Sequence, residues 1–435
     1  MKTKHHTKRN FYSIILFVSI ISFSLNSCYK DLIEPTEDTP MFDFIFPEAY
    51  LLDTKAYIQN SDYASTIEKS ILVDGDYYTF GELPLIGMVT NSPTVDDIMQ
   101  RLVVSHNWMG QRFQEIIETY PSDFLKIFRG VTAIVIDDDI RPAYYNPLTA
   151  TIYLDANYFW LNEEERVSIN PKPDYRSNFS NELIFKRFYR YVKDNELAYH
   201  YLSMSANFQH RELSDIRMLV ARLLLHELAH ANDYFPPQFL NSLELNKEPW
   251  EVAKEHKSQR ISKRLNENNP LTSELIKNIA QVSFQGKLPT DRQKTLTASE
   301  IGFSFETDGA SDYYNYSTIY EDVAMLFEET MMKYFFDVDR DMAFTDLKND
   351  NDKYIVRWGV RNRFADPRVI SRAEFVINQI LPEINFDNFI QSIPETQSLP
   401  NGIDWRESLQ YMSRSSNPIY YNSNEYEIEN YIHYH

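Results

Sequence analysis

The chain has 435 residues, 43% hydrophobic and 24% charged, enough for a real core spread over two or three domains or one large domain with additions. Its formal net charge of −20 argues against a nucleic-acid partner, because phosphate binding needs a basic face; acidity of this kind mainly serves solubility. The 10 glycines include no Gly-rich phosphate cradle, and the single cysteine, Cys28, excludes both an internal disulfide framework and a cysteine-based zinc cluster. Any metal site must therefore use histidine and carboxylate. The 30 Tyr and 28 Phe read mostly as core and half-buried packing.

Lys2, Lys4, Lys8 and Arg9 give the N-terminus a positive start, and Phe11 to Leu25 is apolar with interspersed serines. That is the length of a signal-peptide core and short for a membrane span. Leu25-Asn26-Ser27-Cys28 closes the segment and resembles the lipobox of bacterial lipoproteins. The resemblance implies cleavage before Cys28, with acyl chains on its thiol and new amino group anchoring the protein to a membrane. Residues 1–27 are thus expected to be a signal peptide; a plain cleaved signal or a single anchoring helix is the alternative. Residues 28–40, acidic with two prolines, read as a tether. The expected location is the cell envelope, lipid-anchored at the outer membrane of a Gram-negative bacterium. No later stretch is long and apolar enough to span a membrane.

Residues 41–130 read as a largely helical N-terminal region. Within it Ser92-Pro93 looks like a cap followed by a first-turn proline, with Ile98, Leu102 and Phe113 at roughly helical spacing. Val131 to Ile136 and Thr149 to Leu154 read as strands separated by the Asn146-Pro147 turn. Helices are expected to start at Asn162-Glu163 and to run from Asn181 to Glu196. The strongest helix spans Leu213 to about Asn232, with Ser214 and Asp215 at its start; it is apolar nearly all round, the mark of a buried helix, and Pro236-Pro237 stops it. Further helices are expected from Pro249 to Asn266, from Thr272, from Thr318 to Phe336, and from Asp366-Pro367 to Leu381. The implied fold is α+β and helix-rich. Residues 131–340 are expected to form a central domain and 341–435 a C-terminal helical region.

The chemistry-bearing motif is His226-Glu227-Leu228-Ala229-His230, an H-E-x-x-H inside the buried helix. Two histidines at i and i+4 share one helix face, so their imidazoles can converge on one zinc ion. Glu227 is placed beside them as a general base rather than a ligand. By composition, such a match arises by chance with a probability on the order of 0.02. The alternative, two satisfied core histidines, would leave a charged glutamate among leucines, which is costly. A third ligand is needed. Asp233 lies seven residues after His226, about 10 Å along the axis of a continuous helix, too far for a short side chain. It reads instead as an acid that orients a ligand or caps the helix. Glu321 is the better candidate, on the second buried helix with Ala324 one turn on allowing close packing; Asp322, Glu328 and Glu329 compete with it.

With the downstream Glu321-x-x-Ala324, this H-E-x-x-H resembles the gluzincin branch of the zincin metallopeptidases. H-E-x-x-H-x-x-Asp233, then Tyr314, six residues and Glu321-x-x-Ala324 is similar to the anthrax lethal factor type of catalytic domain. The matching stretches cover about twenty residues. The resemblance implies a zincin-like domain, with a small sheet over the active helix. It also implies one zinc ion on His226, His230 and Glu321, Glu227 as base, and Tyr314 as a helper of the oxyanion. The family often carries an acid four residues after the ligand glutamate, where this chain has Met325; Asp233 is the substitute considered. The same features fit zinc metallohydrolase lipoproteins found beside nutrient-uptake systems of Gram-negative bacteria. The expected activity is hydrolysis of a peptide or protein substrate. In zincins an edge strand holds extended substrate, and Thr149 to Leu154 is equally readable as that strand or as a core strand. Two other readings stand: a zinc hydrolase of non-peptide bonds, and a non-catalytic surface lipoprotein that binds nutrients or partners around a structural or vestigial metal.

Overall fold

A computed structural model describes residues 53–71, 77–199 and 210–412. The expected signal peptide, Cys28 and the tether lie outside the described residues. Within them no helix is long and apolar enough to cross a membrane.

The fold is α+β, with two five-stranded sheets and several long helices. The first sheet contains β1 (Lys55–Ala56), β2 (Leu102–Val104), β3 (Ala133–Asp137), β4 (Tyr144–Asn146) and β5 (Thr151–Asp155), in the order β1-β2-β3-β5-β4. β2, β3 and β5 are parallel, while β1 and β4 run antiparallel at the two edges. The second sheet contains β6 (Phe185–Lys193), β7 (Glu196–Leu197), β8 (Asp339–Asp346), β9 (Val356–Arg361) and β10 (Gln397–Ser398), in the order β10-β9-β8-β6-β7, antiparallel throughout.

The helices used below are α1 (Ala64–Ser70), α2 (Asn107–Ile117), α3 (Leu213–Tyr234), α4 (Ile261–Asn268), α5 (Glu274–Gln285), α6 (Ala298–Glu306), α7 (Ile319–Phe336), α8 (Pro367–Ile380) and α9 (Trp405–Met412). The central strands of the first sheet are covered on both faces, which is why β3 reads as an unbroken apolar run rather than an alternation. Ile134, Ile136, Ile152 and Leu154 face the main core with α3, α7 and α8, while Val103, Ala133, Val135 and Tyr153 pack toward α1. The second sheet buries Phe185, Met342 and Phe344 against α5 and α6, and Phe188, Ala343 and Val356 against α9.

Several expectations are corrected. The stretch 181–196 is not a helix but holds strand β6, Phe185–Lys193, followed by a turn into β7; the run Phe185-Lys-Arg-Phe-Tyr-Arg-Tyr-Val-Lys193 is aromatic-rich, which favours a strand. Leu102 belongs to β2, and the preceding short helix is capped by Thr94 through a reciprocal pair with Asp97, not by Ser92. The sheet therefore runs across the expected boundary at 130/131, and β8 runs across the one at 340/341. The 341–435 region also contributes β9 and β10, so it is not simply helical. The helix expected over 249–266 is two, Pro249–Glu255 and α4, with a short turn between them. Thr149 to Leu154 largely matches β5, but β5 is interior; the edge strand is β4.

Candidate metal centre

The site lies between α3 and α7. Ile216, Leu219, Val220, Leu223, Leu224, Leu225 and Leu228 bury α3 on all sides, and Glu212 and Asp215 close its first turn reciprocally. The helix runs unbroken through Tyr234, so Asp233 stays on it and does not swing round to join the histidines. Thr318 caps α7, its hydroxyl accepting from the Glu321 amide at 3.1 Å. That places Glu321 in the first turn, where the helix dipole favours an anion.

The two helices bring together the three residues expected as ligands. Glu321 Oε2 lies 3.0 Å from His226 Nε2 and 3.5 Å from His230 Nε2. One donor atom from each of the three residues falls within 4.8 Å of the others, so the triad could hold a metal ion. The imidazoles meet nearly edge to face, centroids 5.1 Å apart and planes at 81°. Two imidazoles and one carboxylate converging on one point are a fitting donor set for a divalent transition metal.

The competing acids are engaged elsewhere. Asp322 is clamped by Arg372, with Nη1 to Oδ1 at 3.1 Å, and by Asn315 at 2.9 Å. Glu329 faces Arg340 at 3.6 Å and accepts from the Phe364 amide at 3.4 Å. Glu328 lies behind the histidine, its Oε2 3.0 Å from His226 Nδ1. Asp233 Oδ1 accepts from the Ser262 amide at 2.6 Å, and the carboxylate is close enough to His230 to feel its charge.

Burial disfavours a charged His226, but hydrogen bonds and charge from Glu321 and Glu328 outweigh it and raise its pKa to about 10. Burial likewise works against ionised Glu321, yet the two histidines hold it well below the usual carboxylate range. Without an ion, the extra proton on His226 lets its ring donate to both acids, from Nε2 to Glu321 and from Nδ1 to Glu328. A metal requires neutral imidazole and would release that proton.

Glu227, 3% exposed, is raised above the ordinary carboxylate value by burial, against the opposing pull of His226 and His230. It is thus a stronger base than a surface glutamate. The Tyr314 ring lies over His226 at 6.2 Å with planes 27° apart, and its hydroxyl is hydrogen-bonded to Glu321. Burial, and then the Glu321 charge, push this phenol well above its usual range, so it stays a proton donor. Its turn, Tyr313–Tyr316, is pinned from both sides. Asp312 accepts from the Tyr314 amide at 2.7 Å and from Arg187 at 2.6 Å, while Asn315 reaches Asp322 on α7.

One residue escaped the sequence reading. Arg176, in the turn Tyr175–Asn178, is buried and braced by Asp174 (Nε to Oδ1 3.0 Å, Nη2 to Oδ2 2.6 Å). Its charge is felt by both Glu227 and Tyr314. A lone arginine in a loop carries no spacing signal that could have marked it.

Comparison with protein-family models, curated proteins and solved structures returns no match. Fold and site together define an α+β protein in which two buried histidines and a partly buried glutamate form a triad able to take a metal ion.

Proposed function

We propose that this chain is a zinc-dependent hydrolase of the gluzincin kind, acting on peptide bonds. The observation that carries the reading is the convergence of His226, His230 and Glu321 beside Glu227, a buried glutamate made more basic by its surroundings. Three ligands of this type, with one position left open, suit a catalytic zinc rather than a closed structural one. When bound, zinc supplies a Lewis acid that polarises a carbonyl and acidifies a water.

The chain's own residues supply the rest. Glu227 takes the proton of the attacking water and can pass it to the leaving amine. The Tyr314 hydroxyl donates to the oxygen on which negative charge develops. Arg176 adds positive charge on the same side, near Glu227 and Tyr314. An extended substrate can add to the outer edge of β4, since Tyr145 of that strand lies against Tyr234 at the end of the active helix, ring centroids 5.6 Å apart. Asp233 is the acid suited to His230.

The test is zinc content and hydrolysis of denatured proteins and peptide libraries, with and without chelator, for wild type, Glu227→Gln, Glu321→Gln and Asp233→Asn. Wild type should hold one zinc. Glu227→Gln should keep zinc and lose roughly 10²–10⁴-fold in rate. Glu321→Gln should lose metal affinity, and Asp233→Asn should weaken it less, by about 10–100-fold. Zinc retained by Glu321→Gln but lost by Asp233→Asn would refute the ligand assignment. Bound zinc with no turnover of any substrate would favour a binding lipoprotein.

A further inference from the structure

An imidazole that gives Nε2 to a metal carries its proton on Nδ1, and some group must accept that proton's hydrogen bond to fix the ring. For His226 the acceptor is on the opposite helix: Glu328 Oε2, at 3.0 Å. Glu328 is fully buried and makes no contact with solvent. Its other oxygen, Oε1, accepts from the Tyr191 hydroxyl at 2.9 Å, and Tyr191 belongs to β6 of the second sheet. Arg222, one turn before His226 on α3 and 1% exposed, brings Nη1 to 3.6 Å from Glu328 Oε2. A carboxylate this deep is tolerated only with such partners.

We propose that Glu328 is the positioning residue of the metal centre, and that Tyr191 and Arg222 serve to hold it against His226. The inference rests on the metal-centre reading above. Glu328 follows Glu321 by seven positions, two turns along one face of α7. A single helix therefore presents both a ligand to the ion and the brace behind a second ligand. Asp233 does not compete for this role, because Glu328 already occupies the far side of the His226 ring. Through Tyr191, the second sheet takes part in fixing the metal geometry although it contributes no ligand.

The experiment measures zinc affinity by chelator competition, and the visible absorption of the cobalt-substituted protein, for the full mature chain. Variants are Glu328→Ala, Glu328→Gln and Tyr191→Phe, with metal-free unfolding curves to confirm folding. Glu328→Ala should bind zinc about 10–100-fold more weakly and change the cobalt spectrum. Glu328→Gln keeps an acceptor oxygen, so it should preserve the spectrum with an intermediate loss of affinity. Tyr191→Phe should weaken zinc by a smaller factor. A folded Glu328→Ala protein with wild-type affinity and spectrum overturns the proposal. Should that variant fail to fold, wild-type affinity and spectrum in both Glu328→Gln and Tyr191→Phe overturn it instead. A wild-type chain that binds no metal overturns the metal-centre reading together with this one, whereas unchanged variants of a zinc-binding wild type overturn this one alone.

Discussion

Gly130→Ala should destabilise the protein and disturb the metal centre, although position 130 touches no ligand. Gly130 ends the turn Lys126–Gly130, which packs against α3 just after His230. A Cβ there would lie 2.9 Å from the Ala231 carbonyl carbon, 3.0 Å from its oxygen and 3.1 Å from the Asn232 nitrogen. All three are backbone atoms of a helix and cannot swing aside as a side chain would. Asn232 tightens the contact, its Nδ2 donating to Ile127 O and Leu228 O, both at 2.7 Å. Turn and helix must separate by roughly half an ångström, an overpacking that costs about 1–3 kcal/mol. Without that contact, replacing glycine by alanine would raise stability by about 0.4–1 kcal/mol through the unfolded state. The sign therefore decides. Urea unfolding should show a lower midpoint at unchanged slope, and chelator competition a weaker zinc site, because the turn carrying His230 moves against Glu321. A midpoint at or above wild type would refute the argument.

Asp137 is raised by burial from 3.8 to about 6, so the folded state holds its proton more tightly than the unfolded chain. Its penalty on stability is absent below about pH 4, grows as pH rises to about 6, and stays near 3 kcal/mol above that. Asp137→Asn should therefore be more stable than wild type at pH 7 and no more stable at pH 4, and an equal difference at both would contradict the burial argument. Tyr314→Phe should keep zinc and wild-type stability to within about 1 kcal/mol while hydrolysis falls by roughly 10²-fold, the usual loss for one oxyanion donor; zinc loss in this variant would make Tyr314 a structural clamp instead. Zinc at about 100 times its dissociation constant should stabilise the folded chain by about 2.7 kcal/mol, measured as a chelator-dependent shift in unfolding; no shift would mean that the triad binds no ion in the native state.

Local signals made α3 and α7 legible. Both helices are apolar almost all round, and Thr318 caps α7 as its residue type suggests. The H-E-x-x-H spacing needs only one helical turn to place its histidines, so the pair could be read before any tertiary structure was known. Glu321 was harder, because its approach depends on how two helices pack across 91 positions of chain; Ala324 gave only a hint. β6 is hard to read because two of its cations sit in long-range ion pairs: Arg187 meets Asp312 at 2.6 Å, and Arg190, 6% exposed, is held by Asp341 at 2.8 Å, partners that are invisible locally. The place of β5 inside the sheet was equally hidden, since strand order is set by long-range pairing rather than by the strand's own residues.

The support behind the metal centre follows from the same electrostatic rule. Burying acids close together requires buried cations, and the fold supplies them from elements distant in sequence. Arg187 of β6 and Arg340 of β8 both reach Asp312, Arg340 also faces Glu329, Arg222 faces Glu328, and Arg372 of α8 holds Asp322. Each arginine faces an acid that fixes α7 or the Tyr314 turn rather than one that reacts, although burial still lifts Glu329 to about 7 against the pull of Arg340. Glu321 is different: its positive neighbours are His226 and His230 themselves. The one carboxylate expected to touch the ion is thus compensated by the groups expected to share that ion with it, while Asp312, Asp322 and Glu328 each face an arginine. This division lets a metal take the place of the histidine charge at Glu321 while the arginines stay against Asp312, Asp322 and Glu328.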